Sequence, residues 1–180
     1  MEKYKELVSL GVEAYMKALA EINWFSVPQN NREEIHDRLI SMPSPLFFVT
    51  ELHHLWFHPA AYKSADNFIE LLDEVFEFAQ ITPIKKEVVY NGNKKCVEIL
   101  IQTKKGTYKT QMPINKDSLV SFDNFIDPFI NKQLLKKEGL SATFQPLPVF
   151  DETEQYVLVP RSVYKEACDK GIIPASLQIK

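Results

Sequence analysis

The hydrophobic positions of this chain change period once, near Pro83. Before it they recur at steps of three and four: Tyr4, Leu7, Val8, Gly11, Ala14, Tyr15, Ala18, Leu19 and Ile22 form one stripe and predict a long first helix. A short second helix is predicted from about Asn31 to Ile40, with Glu33 and Glu34 in the first turn, where the helix dipole favours acids. SMPSP then breaks the chain. Ser44 followed by Pro45 is a start signal for a third helix, which Pro59 ends. A fourth, from about Ser64 to Gln80, is expected to bury Phe68, Leu71, Leu72, Val75 and Phe76.

Beyond Pro83 the pattern alternates. Asn91-Gly92 is a hairpin signal, because both central residues of the tight turn need positive φ. A second hairpin at TKKG, residues 103 to 106, is set by pattern: with Gln102 opposite Thr107, Ile101 meets Tyr108, Ile99 meets Thr110 and Val97 meets Met112. Glu98, Lys109 and Gln111 then take the other face, as in an antiparallel sheet covered on one side. Asp127 reads as an N-cap before Pro128 and Gly139 as a left-handed end, which predicts a helix over 128–138. ATFQPLPVF and QYVLV read as two strands joined by DETE; Pro146 and Pro148 suit an edge. RSVYKEACDKG closes as a helix, with Gly171 past its end.

The expected fold class is α+β: a helical part of about four helices over 1–80, then an antiparallel sheet of about five strands with two further helices over 84–180, in one domain spanning 1–180. No internal repeat or long linker interrupts it.

Charge is unevenly distributed. The net value is −3, which argues against nucleic acid, yet residues 1–80 hold 6 Lys and Arg against 13 Asp and Glu, while the remainder hold 15 against 11. An acidic first half suits a basic protein partner. The first residues read as an amphipathic helix and not as a signal peptide or membrane span, so the expected compartment is the cytoplasm, with no membrane partner. Cys96 and Cys168 fall on apolar positions and read as packed free thiols.

One stretch invites a metal. ELHHLWFHPA, residues 51–60, placed on the third helix, puts Glu51, His54 and His58 within a stripe about 60° wide, and histidines one turn apart can share an ion. Glu33 and His36 repeat the Glu-x-x-His spacing on the preceding helix, and Glu70, Glu74 and Glu77, or Glu13 and Glu21, supply further carboxylates as in a carboxylate bundle. Against this, Phe48, Val49, Leu52, Leu55 and Trp56 centre about 130° away on the same wheel, so the stripe faces away from the core. The His-Glu adjacency of a zinc hydrolase is also missing.

Other chemistry finds no anchor. All five glycines are taken by hairpins, helix ends or, at Gly11, helix packing, which leaves none for a phosphate loop. Neither cysteine has an activating neighbour. Asp117, Asp123 and Asp127 suit turns and caps without the order of a calcium loop. Lysine pairs at 85 and 86, 94 and 95, and 104 and 105 solvate strand ends. No catalytic residue or cofactor is assigned. The expectation is a small non-catalytic protein-binding module with a partly acidic surface, comparable in size and composition to immunity or antitoxin-type inhibitors. The alternative is a metal-binding protein or metalloenzyme using Glu51, His54 and His58 with Glu33 and His36.

Overall fold

The computed structural model describes residues 2–41, 48, 51–52, 55–115, 120–148 and 153–174. The fold is α+β, and the chain packs as two compact units, Met1–Trp56 with Gln145–Lys180, and Phe57–Phe144. Among the described residues no helix is long and apolar enough to cross a membrane.

The first unit opens with two helices where one was expected. α1 spans Glu2–Ser9 and α2 spans Val12–Glu21. The break is at Gly11, whose φ of 86° and ψ of 179° only glycine adopts readily. Nothing lies within 4 Å of a Cβ built there, so this glycine re-aims the chain and does not serve close packing. The apolar stripe survives the break: Tyr4 and Val8 from α1 and Tyr15, Met16 and Leu19 from α2 enter one core with Trp24, Leu39, Leu52, Val157 and Val159. The fully buried Tyr15 hydroxyl donates to the Ile172 carbonyl at 2.6 Å, and its ring packs edge-on against Phe48 with centroids 5.0 Å apart. α3, Arg32–Ser41, forms as expected, its first turn capped by the Asn31 side chain, which accepts from the Glu33 and Glu34 amides.

The third helix is the main correction. Ser44 and Pro45 lie outside the described residues, but Leu55–Phe57 is a strand, β1, with Leu55 and Phe57 buried and Trp56 51% exposed. That is strand alternation. His58 is extended, and Pro59–Ala61 forms a 3₁₀ turn, so Pro59 begins an element where it was expected to end one.

β1 shares a sheet with β5, Ala142–Pro146, and β6, Glu154–Pro160, in the order β1-β6-β5. β6 is central, which explains why its residues 157–159 are all buried, and β5 with Pro146 takes an edge as its proline requires. Among the described residues the five-stranded sheet is therefore replaced by two sheets of three strands. The last helix of the chain, Arg161–Asp169, ends before Gly171 at φ 77°. A Cβ at 171 would stand 2.6 Å from Lys3 Cβ, so this glycine also permits α1 to pass close by.

In the second unit, α4, Ala65–Ala79, starts at a capping box made by Ser64 and Asn67 and buries Phe68, Leu71, Leu72, Val75 and Phe76 as expected. β2 (Lys85–Asn91), β3 (Cys96–Gln102) and β4 (Thr107–Pro113) form the second sheet in that order. The β3–β4 register is the one read from sequence, Gln102 opposite Thr107 and Val97 opposite Met112. The β2–β3 hairpin exists, but Asn91 pairs with Cys96, and Lys95, not the Asn-Gly pair, takes positive φ at 49°. The Asn91 side chain instead accepts from the Lys94 amide and closes a longer loop.

The helix expected at 128–138 begins earlier and is wider. Phe125–Leu135 is a π-helix, continued by one α-helical turn, α5, at Lys136–Glu138, and ended by Gly139 at φ 81°. Its buried pairs, Phe125 with Ile126, Phe129 with Ile130, and Leu134 with Leu135, recur after four and then five residues, which suits i→i+5 bonding. Pro128 falls among the first residues, whose amides lack an intrahelical acceptor, so it removes no bond. Asp127 is not a cap; it pairs with Lys132, five residues on, at 2.5 Å.

Candidate functional site

Of the residues proposed as metal ligands, Glu51, His36 and His58 each have a separate partner. Arg38 donates to Glu51 at 3.1 Å and to Glu34 at 2.6 Å, fixing Glu51, whose side chain is 13% exposed, in an ion pair. His36 Nε2 lies 3.0 Å from Glu13, linking α2 to α3, and this hydrogen bond raises the ring's pKa above its usual 6.5, assisted by Asp37. His58 Nδ1 accepts from the Ala60 amide at 3.2 Å and caps the 3₁₀ turn. Glu33 is exposed on α3, and His54 lies outside the described residues. The shared stripe needed one helix through residue 58, and β1 removes it, since successive strand residues point to opposite faces. Among the described residues no three His, Cys, Asp or Glu side chains are grouped to hold an ion.

The glutamates nominated on the fourth helix do come together, as a surface. α4 contains Asp66, Glu70, Asp73, Glu74 and Glu77 and no Lys or Arg. Its apolar residues are buried beneath, so the acids form the outward face. Only Asp73 has an ion-pair partner among the described residues, Lys86 on β2. Spacings of three and four bring Asp66 to Glu70, Glu70 to Glu74, and Asp73 and Glu74 to Glu77. Each like-charge neighbour costs a helix about 0.2–0.5 kcal/mol. Glu77 in addition sits in the last turn, where the dipole disfavours an acid.

The carboxylates act on one another and on their surroundings. Partial burial raises the Glu74 pKa, and Glu77 and Glu70 raise it further. Tyr62, next to the same face, is pushed up to about 12, by burial first and then by Glu74 and Glu70. Its ring belongs to an aromatic cluster with Phe57, Phe68 and Phe122, at centroid distances of 5.6, 5.1 and 5.2 Å, and its carbonyl accepts from the Tyr90 hydroxyl at 2.8 Å. A negative face beside the half-buried ring of Tyr62 is suited to Lys and Arg side chains, through ion pairing and cation–π contact.

Sequence reasoning found Glu70, Glu74 and Glu77 but gave them to a metal, and it passed over Asp66, Asp73 and Tyr62. The usable signal was the absence of any basic residue from 65–79. The cysteines are free, Cys96 buried and Cys168 partly so, with the Cys168 thiol raised by burial. Asp123 accepts from the Ser121 hydroxyl at 2.8 Å and Asp127 pairs with Lys132, while Asp117 lies outside the described residues.

Comparison with protein-family models, with curated proteins and with solved structures finds no match.

Proposed function

We propose that this chain is a non-catalytic, cytoplasmic protein-binding module that takes a basic polypeptide against the acidic face of α4, in the manner of an immunity or antitoxin-type inhibitor. The observation that carries the reading is the row Glu70, Glu74 and Glu77, exposed acids with no basic partner among the described residues. A helix that keeps like charges at adjacent turns gives up stability that a single lysine would restore. A surface with that cost is accounted for by a cationic partner that neutralises it and is steered to it. The two free thiols suit a reducing compartment.

The test is affinity capture from extract and secreted protein of the source cells, with immobilised wild type and a Glu70→Lys, Glu74→Lys, Glu77→Lys variant side by side. A basic polypeptide retained near one to one by the wild type, released by salt and lost from the variant is the expected result. The same proteins on both surfaces, or retention indifferent to salt, would overturn the reading.

A further inference from the structure

The sheet β2-β3-β4 has a second face that α4 does not cover. α4 packs on the side of β2 that carries Val88, and the buried Val97, Ile99, Ile101, Tyr108 and Met112 show that side to be the inner one. The outer side is an open depression of about 470 Å³. Its centre is two rows fixed by the strand register: Glu87, Leu100 and Lys109 lie side by side across the three strands, and Val89, Glu98 and Gln111 form the next row. Val89 is 53% exposed, unusual for a valine in mid-strand.

We infer that this outer face is a twofold contact between two copies of this chain. The order of charge across the first row is self-complementary: acid on one edge strand, apolar in the centre, base on the other edge strand. A twofold axis along β3 lays β2 over the partner copy's β4 at the same height. Glu87 then meets Lys109 of the second copy, Leu100 meets its own counterpart, and the reciprocal ion pair closes the other side. A foreign partner must supply the reversed row; a second copy supplies it by symmetry. Lys109 has no ion-pair partner among the described residues, and Glu87 has only its strand neighbour Lys85, at 2.6 Å. Glu98, which falls near its own counterpart, is already neutralised by Lys94 at 2.8 Å. Because α4 lies on the opposite side of the same sheet, the contact leaves its acidic face open in each copy.

The contact is small. Three strands about 4.8 Å apart and seven residues long cover roughly 300 Å² per copy, below the about 800 Å² per partner of a standard interface, so the association is a weak, transient one, to be sought at concentrations on the order of 10 µM to 1 mM.

Sedimentation equilibrium over roughly that concentration range tests it, on wild type, Glu87→Lys, Lys109→Glu and the double exchange. Each single reversal sets like charges opposite one another and is expected to raise the dissociation constant at least about tenfold. The double exchange rebuilds the pair in reverse and is expected to return to near the wild-type value. A second measurement needs no variant: amide shifts on dilution should concentrate on the two rows. A wild type that stays monomeric, a double exchange no better than the single variants, or dilution shifts elsewhere in the sheet would overturn the inference.

Discussion

Asn131 holds Phe144 as a neighbouring strand would. Its Nδ2 donates to the Phe144 carbonyl at 2.9 Å, and its Oδ1 accepts from the Phe144 amide at 2.8 Å, with the asparagine 6% exposed. One side chain of the π-helix thus satisfies both main-chain groups of a residue on the edge strand β5. Removing it strands a buried donor and a buried acceptor together. Asn131→Ala is expected to cost about 3 kcal/mol, read as a lower urea midpoint at unchanged slope, and Asn131→Asp, which keeps only acceptors, should also destabilise. A loss below about 0.5 kcal/mol would show that Phe144 finds other partners.

Tyr15 and Ile172 tie α2 to the segment after the last helix by one buried hydrogen bond of 2.6 Å. Tyr15→Phe keeps the ring contact with Phe48 and deletes only the hydroxyl. The expected loss is about 1–2 kcal/mol, measured by thermal or urea unfolding. An unchanged stability would mean that the carbonyl is satisfied without it.

His36 should carry a pH signature. Its pKa is raised, chiefly by the hydrogen bond to Glu13, so the folded state holds the proton more tightly than the unfolded chain. The stabilisation is complete below the usual value of 6.5 and fades as pH rises through the elevated folded value. NMR titration should place the ring above 6.5 in the wild type and lower in Glu13→Gln. The stability gap between the two proteins should be largest in mild acid and close toward high pH. A gap that widens with pH would contradict the assignment.

The acidic face also loses stability as pH rises, through growing repulsion and not through a lost ion pair. Glu74 has a raised pKa from burial and from Glu77 and Glu70, so its ionised form is disfavoured in the fold and the penalty grows as pH rises through that value. Glu74→Gln should therefore stabilise the isolated protein near neutral pH, by about 0.5 kcal/mol from the relief of two like-charge neighbours, and the gain should vanish in acid. The same substitution should weaken capture of a basic partner. A stabilising change that impairs binding marks a surface kept for function; one that leaves binding intact would point elsewhere on the molecule.

The parts legible in sequence were those where one period ran without interruption. β3 and β4 alternate strictly on both sides of a four-residue turn, and a slip of one residue would have put Ile99 and Ile101 in water, so the register followed from the pattern alone. α4 carried both a capping signal and a full apolar stripe. Residues 55–57 were misread because Leu, Trp and Phe in a run fit a helix wheel and a strand equally well, and the burial of Leu55 and Phe57 on either side of exposed Trp56 is decided by β6, a partner nearly a hundred residues away. The π-helix was hidden by the assumption of 3.6 residues per turn, under which Asp127-Pro128 looks like a start. Gly11 looked like a packing residue because the stripe continued through it; the change in chain direction leaves no trace in spacing. For the site, the acids were visible and their arrangement was not, because the histidine cluster supplied a more specific chemistry that depended on one helix running through residue 58, where the chain instead forms β1.

The most direct test of the central claim is the association rate of the captured basic partner with wild type and with the Glu70→Lys, Glu74→Lys, Glu77→Lys variant, followed by stopped flow from low to high ionic strength. The wild-type rate is expected to fall steeply with salt and the variant to associate slowly at every salt concentration, the two converging when charge is screened. A wild-type rate that does not change with salt, or a variant that matches it at low salt, would contradict an acidic face on α4 as the surface this protein uses.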